Sequence, residues 1–179
     1  MRAHVVYESM FGNSQAVAEA VARGLRRSSP RLTVEVVNVL DAPDALLTDL
    51  LVVGGPTHAF GMSRPQTRSS RSEHLSTPEA RERAERLPGA DTGRGVREWL
   101  DQLTGLDGVP AAAFDTRVDR PVPKRAAAGM ARRLRGAGCR LALPPEGFHV
   151  TGMHGPLGDG ELERAEAWAG DVARTAVGG

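Results

Sequence analysis

Residues 3–8 (Ala-His-Val-Val-Tyr-Glu) read as a buried strand and run straight into the loop Ser9-Met10-Phe11-Gly12-Asn13-Ser14. An amphipathic helix follows from about Asn13 to Arg27. Val17, Val21 and Leu25 form its apolar stripe, with Ala16, Ala20 and Gly24 alongside. A strand that stops in a Ser/Gly/Asn/Ser loop at a helix start brings hydroxyls and free backbone N–H groups to one spot. The helix dipole favours negative charge there. The chain is thus constrained from its first residues to a strand, an anion-binding turn and a helix packed back on the strand.

The alternation continues. Residues 32–39 alternate as a second strand, and a short helix around 43–48 leads to the third strand, Asp49–Gly54, apolar enough to be buried on both faces. From Pro56 to about Gly95 no strong core element is expected. Pro65–His74 is rich in Ser and Arg and is expected to be mobile. Ser76-Thr77-Pro78-Glu79 has the form of a capping box and would start a polar helix through Leu87, stopped by Pro88-Gly89. The pattern resumes with a helix over 95–104 that points Val96, Trp99, Leu100 and Leu103 inward, a fourth strand over Val109–Phe114, and a helix over 123–136. Arg140–Leu143 begins a fifth strand that Pro144-Pro145 interrupts, and Phe148–Val150 continues it along the sheet edge, where prolines are tolerated. Asp159 is the expected cap of a last helix, with Glu161 and Glu163 in its first turn. Repeated βα units with buried strands predict a three-layer, doubly wound α/β fold with a five-stranded parallel sheet in the order 2-1-3-4-5. Ligands would then bind at the carboxyl ends of strands 1, 3 and 4. Residues 1–179 are read as one domain with a polar insertion at about 64–94.

Composition removes several function classes. The formal net charge is +1, which gives no push toward nucleic acid. Lys124 is the only lysine, so the basic side of the balance is almost wholly arginine. Cys139 stands alone, which excludes an internal disulfide, a cysteine-built metal site or an iron–sulfur cluster, and no metal site is expected. No apolar run is long enough to span a membrane, and the start of the chain lacks a signal-peptide core, so the cytoplasm is the expected compartment. The single cysteine reads as a small buried hydrophobe, and His4 as a hydrogen-bonded sheet residue. His149 and His154 do not have metal-pair spacing, and His74 lies in the polar insertion.

The fold hosts many chemistries, so the loops must choose among them. No Gly-Lys pair exists for a Walker loop, and no G-x-G-x-x-G follows the first strand. The acidic cluster of a phosphorylatable receiver is missing, because Glu8 is the only acid after strand 1 and strand 3 ends in Gly54-Gly55-Pro56. The only cysteine is too far along the chain for a C-x5-R phosphatase loop after strand 1.

Ser9-Met10-Phe11-Gly12-Asn13-Ser14 resembles the [TS]-x-x-G-N-[TS] phosphate loop of flavodoxins. The chain as a whole resembles a single-domain protein of the flavodoxin/nitric-oxide-synthase type. Gly54-Gly55-Pro56-Thr57-His58-Ala59-Phe60-Gly61-Met62 stands where that family's second flavin loop follows strand 3, and Phe114-Asp115-Thr116-Arg117 where its third loop follows strand 4. Gly155–Leu162 resembles the approach to the family's terminal helix. The resemblance implies an FMN site. Ser9, Met10, Phe11, Gly12, Asn13 and Ser14 would hold the 5′-phosphate, without any cation. Pro56, Thr57, His58, Ala59, Phe60 and Gly61 would lie against the isoalloxazine ring, Phe60 covering a face and Gly61 allowing a turn that changes with flavin redox state. Asp115 would accept from the pyrimidine part of the ring, beside Thr116, and Arg117 would stack or sit near N1. The third loop departs from the family's electron carriers, which place an aromatic there.

The implied function is an FMN-binding redox protein that shuttles electrons between a reductase and an acceptor enzyme, the flavin carrying the chemistry. The alternatives on the same fold are an FMN-dependent NAD(P)H:quinone or small-molecule reductase and a flavin-free binding module. The family's carriers are acidic and dock on basic partners. This slightly basic chain is expected to present a different partner surface. Its Arg-rich insertion at 64–94 is a candidate for that surface or for a lid.

Overall fold

A computed structural model describes residues 1–58, 61–69, 78–85, 90, 92–121, 124–152 and 155–178. The elements in chain order are β1 (Arg2–Tyr7), α1 (Asn13–Ser28), β2 (Thr33–Asn38), β3 (Leu50–Pro56), α2 (Pro65–Ser69), α3 (Pro78–Glu85), α4 (Val96–Gln102), β4 (Pro110–Val118), α5 (Ala126–Gly136), β5 (Arg140–Leu141), β6 (Glu146–Val150) and α6 (Glu161–Val177). The strands pair in the order β2-β1-β3-β4-β5, all parallel, and β6 pairs with β4 beyond β5. This is the predicted order, including the interrupted last strand. Arg140–Leu141 pair with Pro110–Ala111, and Glu146–Val150 pair with Phe114–Val118. Ala142–Pro145 therefore bridge a gap that β4 spans with only Ala112 and Ala113.

The side-chain period of a strand divides the core into two layers. Ala3, Val5, Val52, Phe114 and Phe148 face α1 and α6. Val6, Leu51, Val53, Ala111 and Ala113 face α4 and α5. The first layer is centred on Phe114, Phe148 and Trp168, whose rings meet edge-on at centroid distances of 6.0–6.3 Å. Two glycines are required by close approach. A Cβ on Gly54 would stand 1.9 Å from the Phe114 ring, and one on Gly24 of α1 would stand 2.2 Å from the Glu166 carbonyl oxygen of α6. Cys139 is buried, and burial, with Asp107 nearby, pushes its thiol up to about 11. Its sequence reading as a buried hydrophobe agrees with that placement. No described helix is long and apolar enough to cross a membrane.

Three local expectations are corrected. No helix forms at 43–48. The carbonyls there are taken instead by side chains: Trp99 Nε1 donates to Pro43 O at 2.9 Å, and Arg94 donates to the Ala42 carbonyl and the Asp44 carboxylate. β4 runs to Val118, not Phe114, because β6 supplies a pairing partner that local sequence cannot reveal. Asp159 does not cap α6; Gly160 occupies the N-cap at φ 77°, a left-handed conformation natural for glycine. Within the stretch expected to be mobile, Pro65–Ser69 is helical and Arg68 is only 3% exposed. Of the expected capping box, Ser76 and Thr77 lie outside the described residues, and the helix that follows is α3.

Candidate functional site

The carboxyl ends of β1, β3 and β4 converge, and hydrogen bonds tie their loops together. After β1, Gly12 is the N-cap of α1 at φ 91°. Only glycine adopts that turn without strain, and a Cβ there would meet nothing within 4 Å. The Gly12 N–H donates to Ser9 Oγ at 3.0 Å, closing the loop on itself. The helical ladder begins with Ala16 N–H to Gly12 O at 2.9 Å. The N–H groups of Asn13, Ser14 and Gln15 therefore precede the first intrahelical bond, as in any first turn. Ser9 and Ser14 are buried, while Phe11, Gly12 and Asn13 are partly exposed. Asn13 Nδ2 donates to Gly155 O at 2.8 Å, which fixes the loop against the segment leading into α6. Glu8, next to this cradle, is turned away from it and accepts from Val96 N–H. The donor set fits a phosphate group.

Ser14 Oγ lies 2.8 Å from Thr116 Oγ1, a buried contact that joins the first loop to β4. The second loop is tied to β4 by Thr57 N–H to Thr116 O at 2.9 Å. Reciprocal bonds between His58 and Gly61 (2.8 and 3.0 Å) fold it into a tight turn, with Gly61 at φ 96°. Ala59 and Phe60, expected to touch a ring, lie outside the described residues. Pro56, Thr57 and His58 are partly exposed at the rim.

β4 continues through both Asp115 and Arg117, so they are strand residues and not loop residues. Asp115 is fully buried. Its Oδ2 accepts from Thr57 Oγ1 at 2.9 Å and from Ala127 N–H at 2.9 Å, while Thr57 Oγ1 accepts from Ala126 N–H at 2.8 Å. The pair thus caps the first turn of α5 from another part of the chain, a service the local N-cap, Arg125, does not provide. Burial raises the Asp115 carboxyl above its ordinary range, against the opposing pull of those donors and of Arg117. Arg117 Nε lies 3.4 Å from Asp115 Oδ1, and its guanidinium covers Gly147, where a Cβ would come within 2.6 Å of Nε. Residues 119–125 separate β4 from α5 in the chain, and no residue from 115 to 125 is aromatic. The phosphate end of the site therefore fits FMN more fully than the ring end.

Sequence reasoning missed a buried ionic cluster on the far side of the first loop. Glu8 is 5% exposed. Its Oε2 accepts from Val96 N–H at 2.9 Å, and its Oε1 is buried without a partner. Burial raises its carboxyl, partly offset by Ser63, Val96 N–H and Arg68. Arg68 donates to Ser63 Oγ at 3.0 Å and pairs with Glu98 at 3.1 Å. Glu98 also accepts from Gly95 N–H at 2.8 Å. Gly95 has no room for a side chain: a Cβ would stand 2.5 Å from Arg68 Nη1 and 2.8 Å from Glu8 Oε2. The cluster pins segment 61–69 to the end of β1 and the start of α4. Its one sequence signal is a carboxylate ending a wholly buried strand, since such a group requires partners inside the protein.

A parallel sheet between two helix layers, with an N–H-rich turn after its first strand, defines a three-layer α/β protein with a candidate anion site at that turn. The flavodoxin profile matches residues 5–95, just over half of the chain and including both of the first two loops. The chain belongs to the flavodoxin family. Solved structures agree in fold across nearly the whole length. A flavodoxin from the domain Archaea is 20% identical with a TM-score of 0.65, each chain 99% covered. Oxidised Flavodoxin 2 from Bacillus cereus is 16% identical with a TM-score of 0.63, covering 97% of this chain and 99% of that one. A flavodoxin, WrbA-like protein from Agrobacterium tumefaciens is 17% identical with a TM-score of 0.56, covering 99% and 98%. No curated protein matches the chain in sequence.

Proposed function

We propose that this chain binds FMN noncovalently at the carboxyl ends of β1, β3 and β4 and works in the cytoplasm as an electron carrier between a reductase and an acceptor enzyme. Membership of the flavodoxin family supports the redox class. The observation that carries the cofactor is the first loop: buried Ser9 and Ser14 around the free N–H groups at the start of α1, braced by Thr116 and Gly155. Bound FMN would supply one- and two-electron transfer. The protein's part is to bind and to orient. Met10–Ser14 hold the phosphate through backbone N–H groups and the helix dipole. Thr57, His58 and Gly61 border the ring, and Gly61 gives their turn its backbone freedom. Asp115 and Arg117 support this surface from beneath, Asp115 by holding Thr57 and α5 in place.

The test is reconstitution. Purified protein mixed with micromolar FMN should show flavin absorbance and quench flavin fluorescence, and absence of both would sink the proposal. One observation favours a second reading, a flavin-free binding module: residues 115–125 contain no aromatic to stack on a ring. Under that reading the same titration gives no spectral change, and alanine at Thr57 or His58 is without effect on any binding the chain retains.

A further inference from the structure

The cations beside the second loop are concentrated on one face. Arg97 reaches over the loop from α4, donating from Nε to Ser63 O at 3.0 Å and from Nη2 to Met62 O at 2.9 Å. From α5, Gly129 lies against the Met62 side chain, where a Cβ would be 3.1 Å from the methyl group. Lys124 Cβ lies 3.6 Å from where a Cβ on Gly61 would be. Segment 61–64, the start of α4 and the start of α5 thus form one continuous surface. Arg64, Lys124 and Arg125 on it are exposed. Arg133 is partly exposed and pairs with Asp101. Arg97 is lowered from the usual arginine range, first by burial and then by the closeness of Arg133 and Arg64. Among the described residues, the acids of α4 are already engaged: Glu98 with Arg68 and Gly95 N–H, Asp101 with Arg133. A near-neutral chain therefore carries a locally cationic face at the mouth of its site.

We infer that this face, centred on Arg64, Arg97, Lys124 and Arg125, is the docking surface for an acidic redox partner protein. The inference deepens the electron-carrier reading and rests on it for the partner's redox role. Charge complementarity carries it: guanidiniums crowded against one another gain most from a partner that brings carboxylates, and such a field speeds encounter more than it tightens the final complex. Arginine suits the task because its planar fork binds carboxylates in bidentate fashion and is weakly hydrated.

Two measurements decide it. In the first, FMN-loaded, reduced protein is oxidised by hexacyanoferrate(III), an anion, and by hexaammineruthenium(III), a cation, across a range of salt. The anion's rate should fall roughly fivefold or more between low salt and ~0.3 M, while the cation's rate should not fall. The triple variant R64E/K124E/R125E should reverse that order. The control R31E/R140E, at the amino ends of the strands, should leave it intact. A salt-dependent preference for the cation in the unaltered protein, or no response to the triple variant, overturns the inference. The second measurement needs no flavin: amide shifts of the isotope-labelled chain are followed on adding a glutamate-rich dodecapeptide. Shifts should be confined to 61–64, Arg97 and 124–133 and should vanish in the triple variant. Shifts spread over the other arginines, or equal shifts with a single-stranded oligonucleotide, overturn it. A chain that takes up no FMN would defeat the carrier reading, and the peptide measurement would still decide the surface.

Discussion

Glu8 is an acid whose proton is held more tightly in the folded than in the unfolded chain, because burial raises its carboxyl. The sign of its linkage follows. Between its unfolded value and its raised folded value the native state binds the extra proton, so stability falls as pH climbs through that window. Asp115, raised by its own burial, acts in the same direction. Denaturant unfolding of the wild type should therefore show stability declining above the ordinary carboxylate range. Glu8→Gln should flatten part of that slope, and an unchanged slope would show that Glu8 ionises as freely in the fold as outside it. Thr57 gives a prediction of a different kind. Its hydroxyl donates to Asp115 and accepts from Ala126 N–H, so Thr57→Val keeps the shape and removes both bonds. The expected cost is about 1–3 kcal/mol in urea unfolding, the penalty for stranding buried polar groups. A change near zero would show that water replaces the hydroxyl.

The long helices at the two ends of the chain, α1 and α6, meet where Gly24 leaves room for the Glu166 carbonyl. Gly24→Ala ordinarily favours a helix, yet here the added methyl has nowhere to go, and overpacking should cost roughly 1–3 kcal/mol. A calorimetric melting temperature equal to or above the wild type would contradict that packing. Segment 61–69 depends on Arg68, whose guanidinium is held by Ser63 and Glu98. Arg68→Met should speed limited proteolysis within 64–69, whereas Arg64→Met, at an exposed neighbour, should not. These elements also divide what the sequence could reveal from what it could not. The strand–loop–helix opening, the strand order and the broken last strand were legible because hydrophobic period, glycine and proline act locally. The end of β4, the missing helix at 43–48 and the capping of α5 were not. Each depends on a partner far along the chain: β6, the side chains of Arg94 and Trp99, and the pair Thr57–Asp115. The first loop was readable as an anion cradle from its residue types. The burial of Arg68 was not, because an arginine in a Ser/Arg-rich stretch looks like any solvated one.

At the scale of the molecule, the proposed site is unequal along its length. Its phosphate end is built from buried serines and first-turn N–H groups, while at its ring end no residue from 115 to 125 is aromatic. On the proposed reading FMN should bind at least tenfold more tightly than riboflavin, about 1.4 kcal/mol or more carried by the phosphate. Equal affinities in a fluorescence titration would place the grip on the ring instead. The sheet is unequal in another way. Its last strand is two pieces, and four residues cross a gap that the neighbouring strand covers with two. Both pieces are anchored to β4 independently, and exposed Pro144 lies in the slack between them. That slack is a natural splice point, where a peptide tag or a small reporter domain would be extruded from the sheet edge without disturbing either ladder.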